Sequence, residues 1–314
     1  MNDEFRNTVE GETAAEIYDE NFIIPPKFDF VFKYIFGDVK HKRALISFLN
    51  AALKIPKEEL EGLEILNPEL PKDYKEDKKG ILDVRVKTKD GKEIDIEVQI
   101  LQSKFMPERT LFYWGKMYTQ QIESGQDYTK LKKCITINIV DFDVTPLKKL
   151  NSTFHIFEDE TKYKLTDVLE IHFLELKKLY DNEIPKDEND PLVMWMEFID
   201  GKREVIDMIS RKNEDINYAY DLLKVISKDK EARMAYEAKM AALRDEKTRL
   251  VEAKEEGRME GRNEGIEIGM KKEKINVAKN LISLGADMSM IIKATGLTEE
   301  EINKIKLEMN NQVH

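Results

Sequence analysis

Two acidic residues, Asp83 and Glu97, are the part of the sequence best suited to chemistry. Asp83 belongs to the segment ILDVRVKT (81–88) and Glu97 to EIDIEVQI (93–100). In both segments apolar residues alternate with charged or amide residues, which is typical of β-strands. Two neighbouring strands that each carry a carboxylate could hold a divalent cation, because Mg²⁺ prefers carboxylate, water and phosphate oxygens as ligands. Such an ion can activate water and neutralise charge on a phosphate.

The register of these two strands decides whether the carboxylates meet. A two-residue loop would set apolar residues opposite charged ones, whereas a three-residue loop, Lys89–Gly91, keeps both apolar patterns on one face. This odd loop sets Asp83 opposite Glu97, with Gln99 two residues further along the same face. The same register pairs the other charged residues as Arg85 with Asp95 and Lys87 with Glu93.

The predicted pairing brings two like charges close together. Directly opposed side chains have Cβ atoms about 4.5–5.5 Å apart, a distance at which two carboxylates repel. Since Arg85 and Lys87 face other acids, a hard divalent cation is the natural counter-charge. The alternative is that these acids belong to the ordinary solvated face of a hairpin.

The segments around the hairpin predict an α/β unit that positions it. Apolar residues recur at helical spacing before the hairpin and directly after it, and a continuous apolar run follows. A helix between two strands indicates a crossover connection and therefore a parallel pairing. The predicted elements are a helix after Pro25 and Pro26 that ends at Gly37, a helix over 41–53, the two half-buried hairpin strands, a helix over 107–125 that ends at Gly125, a buried strand over 133–142, and two strands within 153–176.

The C-terminal half is predicted to be helical. Residues 190–255 are strongly helical, with 218–250 as one long charged helix, and 274–310 predict three short helices broken at Gly285 and Gly296. Thr298 and Glu301 have the spacing of a capping box, which marks the start of the last helix. Its first turn reads TEEE and would repel phosphate, which favours a protein-contacting module over a DNA-reading one.

Four glycines, at 257, 261, 265 and 269, follow one stripe of a predicted helix. Each costs about 1 kcal/mol relative to alanine in a helix interior. Close approach of a second backbone would offset that cost, which favours an oligomer contact or a flexible joint. The alternative is a solvated spacer helix.

Composition limits the class of protein. Lys+Arg total 51 and Asp+Glu 62, a net charge of −11, so a basic footprint for nucleic acid would have to be local, and it is easiest within the near-neutral stretch 24–145. The single cysteine, Cys134, lies in an apolar run, which indicates a buried, inert thiol. His155 and His172 sit in strand-like runs and are interpreted as structural. The N-terminus has no signal pattern and the chain has no run of about 18 apolar residues, so we expect a cytoplasmic protein without a membrane partner.

Several ordered segments of the chain resemble a known family. FDFVFKYIFGD, ILDVRVKTKDGKEIDIEVQ, RTLFYWGKMYTQQIESGQDY, CITINIVDF and the glycine-punctuated tract are similar to the recombination-promoting nuclease (Rpn) or PD-(D/E)XK nuclease-family transposase group, over roughly residues 25–305. The resemblance implies an α/β fold, with a restriction-endonuclease-like mixed sheet flanked by helices and an all-helical C-terminal extension. The predicted organisation is an acidic flexible tail (1–23), a nuclease-like domain (24–185), a helical region (186–255), a glycine-punctuated linker helix (256–273) and a small helix-turn-helix-like module (274–314).

The resemblance also implies a function and roles for particular residues. It implies an endonuclease that depends on Mg²⁺ (or Mn²⁺) and hydrolyses phosphodiester bonds of DNA, with RNA not excluded as a substrate. Asp83 and Glu97 would ligate the metal together with the backbone carbonyl of Val98. Gln99 would take the position of the motif's lysine, and it offers neutral hydrogen bonds where lysine brings charge. The competing hypothesis is a catalytically decayed, DNA-associated regulatory or oligomerising protein.

Two helices next to the predicted site supply auxiliary candidates. Asp29 and Lys33 share a helix face and could hold a metal-bound water and contact phosphate, or else form a surface ion pair with each other. Arg109 suits bidentate phosphate contact and Tyr113 could stack on a base. The alternative for these two residues is ordinary packing of a helix on the sheet. Arg109, Tyr113, Lys116 and Gln120 form one polar stripe.

Overall fold

The computed structural model describes residues 19–70 and 80–311. Residues 1–18 of the predicted acidic tail lie outside the described residues. The chain divides into two compact units, one up to Ala241 and one from Ala242. Within the described ranges, no helix is both long enough and apolar enough to cross a membrane.

Among the described residues, one mixed sheet of six strands has the order β1-β4-β5-β6-β8-β7. The central pairs β5–β6 and β6–β8 are parallel, and the outer pairs are antiparallel. β2 and β3 form a separate antiparallel pair. The strands are β1 Glu64–Ile65, β2 Glu69–Leu70, β3 Gly80–Ile81, β4 Val84–Lys87, β5 Glu93–Gln99, β6 Cys134–Val140, β7 Asn151–Phe154 and β8 Leu169–Glu175.

The predicted order of helices and strands is observed, including the parallel crossover from the hairpin to β6. The last two strands extend the sheet as expected, although β7 begins before residue 153 and is short. The helices are α1 Asp29–Phe36, α2 Lys42–Leu53, α3 Lys57–Leu60, α4 Met106–Thr119, α5 Pro191–Asp200, α6 Arg203–Ser210, α7 Glu214–Lys228, α8 Lys230–Ser283, α9 Met288–Thr295 and α10 Glu299–Asn311.

The hairpin has the predicted register. Arg85 pairs with Asp95 and Lys87 with Glu93, and the Thr88 N–H donates to the Lys92 carbonyl at 2.9 Å. In the loop, Gly91 has a φ of 89°, a backbone conformation that glycine adopts at little cost. The three-residue loop is therefore confirmed.

The half-buried character predicted for β5 is wrong. Asp95 is 0 % exposed, and Glu93 and Glu97 are 5 % exposed. The reason is the position of β5 within the sheet, because β4 and β6 flank it on its two edges and helices pack on the sheet. The polar row of β5 is thus an interior row, continued on β6 by Asn138, which meets Thr110 of α4 at 3.0 Å.

The helices of the first unit bury the apolar faces predicted for them. Val31, Phe32, Ile35 and Phe36 of α1 are all buried, and the helix ends at Gly37. Trp195 of α5 is fully buried among aromatic rings of α1, α2 and α5, which joins these helices into one core.

α4 is shorter than predicted. It ends at Thr119, six residues before Gly125. The cause is a tertiary contact, because the side chain of Gln121 accepts from the Lys132 N–H at 2.6 Å and donates to the Cys134 sulfur at 3.0 Å. These bonds tie the chain to the start of β6 before another helical turn can form.

The long charged helix predicted over 218–250 is interrupted. Asp229 is extended, with ψ of 130°, and separates α7 from α8. Its carboxylate accepts from the Ala232 N–H at 2.8 Å and so caps the start of α8. From there α8 continues through the four glycines to Ser283.

The second unit contains the predicted helix breaks. Gly285 and Gly296 have φ of 75° and 67°. The capping box is confirmed, since the Thr298 N–H donates to Glu301 at 2.9 Å and the Glu301 N–H donates to the Thr298 hydroxyl at 3.3 Å. A small apolar core holds the helices of this unit together and is formed by Ala278, Ile291, Leu297, Ile302 and Ile305.

Candidate active site

In the hairpin, the Glu97 carboxylate contacts the backbone of Asp83, and the Asp83 carboxylate contacts the backbone of Val98, the residue after Glu97. The Asp83 N–H donates to Glu97 Oε1 at 3.1 Å, and the Val98 N–H donates to Asp83 Oδ2 at 2.9 Å. Asp83 directly precedes β4, so the register of the hairpin alone sets this geometry. The two acids are therefore held side by side, as the odd loop predicts.

Two basic residues from outside the hairpin reach this pair. Lys33 Nζ of α1 lies 3.0 Å from Asp83 Oδ1, and Arg109 Nη2 of α4 lies 3.4 Å from Glu97 Oε2. Lys33 and Arg109, two of the auxiliary candidates, therefore contact the carboxylate pair directly. Both basic residues belong to helices outside the hairpin, so the alternating pattern of the hairpin gives no information about them.

Gln99 lies at the same end of β5 and also contacts Arg109. Its Oε1 accepts from Arg109 Nη1 at 3.4 Å, and its Nε2 donates to the Leu101 carbonyl at 3.1 Å. Arg109 thus spans Glu97 and Gln99. The residue in the predicted lysine position has its amide oriented by protein contacts on both sides.

The surface ion pair that is the alternative for Asp29 and Lys33 is not found among the contacts of the described residues. Lys33 contacts Asp83, whereas Asp29 lies 3.6 Å from Lys239 Nζ, with an exposed side chain. The surface ion pair proposed between these two residues is therefore wrong. Lys33 belongs to the carboxylate site, and the contact described for Asp29 points to α8.

Tyr113 is buried, which does not fit stacking on a base. The residue is 7 % exposed and packs in a cluster with Leu82, Met117 and Cys134. The guanidinium carbon of Arg109 lies 5.5 Å from the centre of its ring. Tyr113 therefore packs against the Arg109 guanidinium in a cation–π contact. Helix spacing alone does not distinguish such a buried aromatic residue from an exposed one.

The pKa values of two acids of β5, Asp95 and Glu97, are raised. Burial, followed by the charge of Asp83, raises the pKa of Glu97 to about 8, although Arg109 and Lys33 oppose the shift. Burial and the neighbouring Glu97 and Asp83 carboxylates hold the pKa of Asp95 well above its usual range. Excess negative charge in a desolvated site is the cause in both cases.

A second acidic group lies elsewhere on the sheet and is already neutralised by basic side chains. His155, Asp167 and Glu170 place ligand-type atoms near one another. Lys133 Nζ lies 2.9 Å from Asp167 and 2.6 Å from Glu170, and hydrogen bonds to lysines lower the pKa of Asp167 to about 2. His172 Nε2 contacts Glu170 at 2.7 Å, and His155 Nδ1 contacts the Leu169 carbonyl at 3.0 Å. These contacts fit the interpretation of both histidines as structural.

The one cysteine behaves as its sequence context predicts. Cys134 is buried at the start of β6. Burial, followed by the charge of Glu93, raises the pKa of its thiol to about 12. A thiol this far from ionisation at neutral pH is a packing group, not a nucleophile.

Comparison with known protein families places the chain in a family. A family model described as PD-(D/E)XK nuclease family transposase matches residues 26–253. The chain belongs to this family. A second model, described as the C-terminal HTH domain of the Rpn/YhgA-like nuclease family, matches residues 271–307. A search of curated proteins and a search of solved structures gave no match.

The family assignment confirms the resemblance to the Rpn group and the predicted fold class. A mixed sheet with packed helices carries the PD-(D/E)XK region, and a helical extension follows it. The HTH match of this PD-(D/E)XK nuclease-family protein includes the end of α8 together with α9 and most of α10.

The donor set of this PD-(D/E)XK family member fits a hard divalent cation. PD-(D/E)XK nucleases generally use divalent metal ions. Asp83 and Glu97 supply carboxylate oxygens, the ligand type that Mg²⁺ and Mn²⁺ prefer. Their neighbour Asp95 has a buried carboxyl group that lacks a hydrogen-bond partner among the described residues.

Proposed function

We propose that this PD-(D/E)XK nuclease-family protein is a DNA endonuclease that depends on Mg²⁺ or Mn²⁺. The observation that carries the proposal is the pair formed by the partly buried Asp83 and the buried Glu97, which is held by hydrogen bonds from the Asp83 and Val98 N–H groups and flanked by two basic side chains. Two carboxylates and two basic side chains at one site can bind a cation and a phosphate at the same time. This arrangement is suited to hydrolysis of a phosphodiester bond.

Each residue of the site has a distinct part in this proposal. Asp83, Glu97 and the carbonyl of Val98 would hold the metal ion, which supplies activation of water and neutralises charge that develops on the phosphate. Lys33 and Arg109 have side chains 38 % and 36 % exposed, so both can reach a phosphate from solvent. Gln99 would orient the attacking water through a neutral hydrogen bond.

We assign contact with DNA to the nuclease region and contact with protein to the C-terminal module. The last helix, α10, carries Glu299, Glu300 and Glu301 in its first turn. Three carboxylates there repel a phosphate backbone. The oligomer contact through the C-terminal helices, the cytoplasmic location and the five-part domain division of the sequence remain predictions.

Incubation of the purified full chain with supercoiled plasmid, single-stranded DNA and RNA tests the function. We expect nicked and linear plasmid with MgCl₂ or MnCl₂, and intact plasmid when EDTA is added. Cleavage that survives EDTA would contradict metal dependence. Cleavage of RNA alone would contradict DNA as the substrate.

Metal binding should depend on pH, because Glu97 must lose its proton to become a ligand. With a pKa raised to about 8, Glu97 is largely protonated at pH 6 in the metal-free protein. We expect the Mg²⁺ affinity to rise roughly ten-fold per pH unit from pH 6 toward 8 and to level off above that. Calorimetry in buffers of different ionisation enthalpy measures both the affinity and the proton released. An affinity that stays constant from pH 6 to 8 would contradict the expectation.

The stability of the metal-free protein should fall as pH rises, whereas the metal affinity rises. The folded state keeps the Glu97 proton up to about pH 8, whereas the unfolded chain loses it near the ordinary glutamate pKa of 4.5. The contribution of Glu97 to the free energy of unfolding therefore falls as pH rises through this window. Denaturant unfolding of the wild type and of Glu97→Gln, both in EDTA, isolates that contribution, since the variant lacks the titrating group.

A further inference from the structure

Asp95 is an acidic side chain that the proposed reaction does not use. It is 0 % exposed, and both of its carboxylate oxygens lack a hydrogen-bond partner among the described residues. Thr136 pairs with Asp95 across β5 and β6, and its buried hydroxyl also lacks a hydrogen-bond partner among the described residues. A buried polar group without a partner is costly, and native structures contain few of them.

Arg85, the basic residue directly opposite Asp95, binds a different acid. Arg85 pairs with Asp95 in the hairpin register, yet its guanidinium donates to Glu93 at 2.7 and 3.2 Å. Arg85 therefore faces Asp95 as the register predicts, but its hydrogen bonds go to Glu93. Arg85 satisfies the next acid along the strand, and Asp95 needs another donor.

Arg109 has donor capacity to spare on the same side of the sheet. Its contacts with Glu97 and Gln99 are both 3.4 Å long, near the limit for a hydrogen bond. Its Nε–H is buried and has no partner within the described residues. Arginine carries five N–H donors in a rigid fork, so the Arg109 guanidinium can exchange one carboxylate partner for another that lies nearby.

Asp95 and Glu97 are two residues apart on one strand, so their side chains point to the same face. The Arg109 guanidinium is loosely held beside Glu97, and the Asp95 carboxyl beside Glu97 has no hydrogen-bond partner among the described residues. One group is a donor and the other an acceptor. They would satisfy each other if Glu97 were engaged by another cation.

We propose that Asp95 is a positioning residue that takes over the Arg109 guanidinium when Glu97 binds the divalent cation. This inference rests on the proposed function. A cation bound to Glu97 repels the Arg109 guanidinium and competes with it for the carboxylate lone pairs, so Arg109 weakens metal binding unless it has an alternative partner. Asp95 supplies that partner, and the Thr136 hydroxyl can donate a further hydrogen bond to it.

Titration of the full chain with MgCl₂ or MnCl₂ alone, without nucleic acid, tests the proposal by calorimetry. We expect Asp95→Asn to weaken metal affinity about ten-fold, the lower range for residues that orient a metal ligand. In an Arg109→Leu background the competitor is gone, so adding Asp95→Asn should leave the affinity unchanged. An equal loss in both backgrounds would overturn the proposal, because it would mean that Asp95 acts on the metal directly.

Glu93→Gln is the matched control for loss of a charge. It removes an acid from the same face of β5, but one whose partner is Arg85. We expect its metal affinity to equal that of the wild type. Thermal unfolding verifies that each variant is folded, and Asp95→Asn should fold well because it replaces a buried ionisable carboxyl with a neutral amide of the same shape.

A direct readout follows Arg109 itself. In NMR spectra of the wild type, the Arg109 side-chain Nε–H resonance, assigned by its absence from Arg109→Lys, should shift and exchange more slowly with water when Mg²⁺ is added. In Asp95→Asn it should stay in place. Metal binding by the wild type without any change at Arg109 would overturn the inference and leave the proposed function intact. Failure of the wild type to bind metal would overturn both.

Discussion

Replacing Asp83 with Asn, or Glu97 with Gln, is expected to lower plasmid cleavage by about three orders of magnitude or more. A bound metal ion contributes several kcal/mol to the transition state, and each decade of rate corresponds to about 1.4 kcal/mol. Both acids are expected ligands, so loss of either charge should remove most of that contribution. The amides are close in shape to the carboxylates and can still accept the backbone bonds that hold the pair.

Cleavage assays over a range of MgCl₂ concentrations, with circular dichroism as a check of folding, measure this effect. Asp90→Asn is the matched control, because Asp90 belongs to the same hairpin but is exposed in its loop and pairs with Lys92. It should cleave like the wild type. A rate within ten-fold of the wild type for either site variant would refute the assignment of that residue.

Replacing Lys178 with Met is expected to lower the free energy of unfolding by about 3–5 kcal/mol, the effect of removing one partner of a buried ion pair. Lys178 Nζ lies 2.7 Å from Glu175 Oε2, and Glu175 is fully buried at the end of β8. Glu175 also accepts from the backbone of Val144 and Thr145, so it orders the loop after β6. Without Lys178 its charge is buried and uncompensated.

Lys177→Met provides the control for the neighbouring position. Lys177 is half exposed and lies 3.5 Å from the exposed Asp143, so its loss should cost less than about 1 kcal/mol. Equilibrium unfolding in urea at pH 7 compares the two variants. Adding Glu175→Gln to Lys178→Met should recover part of the loss. Equal losses for the two lysine variants would contradict the importance of the buried pair.

The hairpin could be predicted from the sequence because its determinants are local. Alternation with a period of two fixes which side chains share a face, and a glycine in a short loop fixes the register. Together they place Asp83 beside Glu97 without knowledge of any other element. The same reasoning holds for α1, whose apolar face and terminal Gly37 lie within one short segment.

The basic half of the site could not be predicted in this way. Lys33 lies fifty residues before Asp83, and Arg109 reaches Glu97 from a helix after the hairpin. Their convergence depends on how α1 and α4 pack on the sheet. Spacing within each helix predicts a polar face but does not show which strand that face meets.

Other differences have equally specific causes. Helical periodicity continues through Asp229, yet one extended residue whose side chain caps the next helix separates α7 from α8. Tyr113 matches the spacing of a polar stripe but is buried beneath Arg109. In both cases a single tertiary or capping contact outweighs a periodic pattern.

The odd length of the Lys89–Gly91 loop also limits how this chain can change during evolution. Loss or gain of one loop residue would shift the pairing of β4 with β5 by one position and rotate Asp83 to the opposite side of the sheet from Glu97. A change of two residues preserves the parity. Descendants of this sequence that keep the acidic pair should therefore differ in loop length by even numbers, whatever residues they carry there.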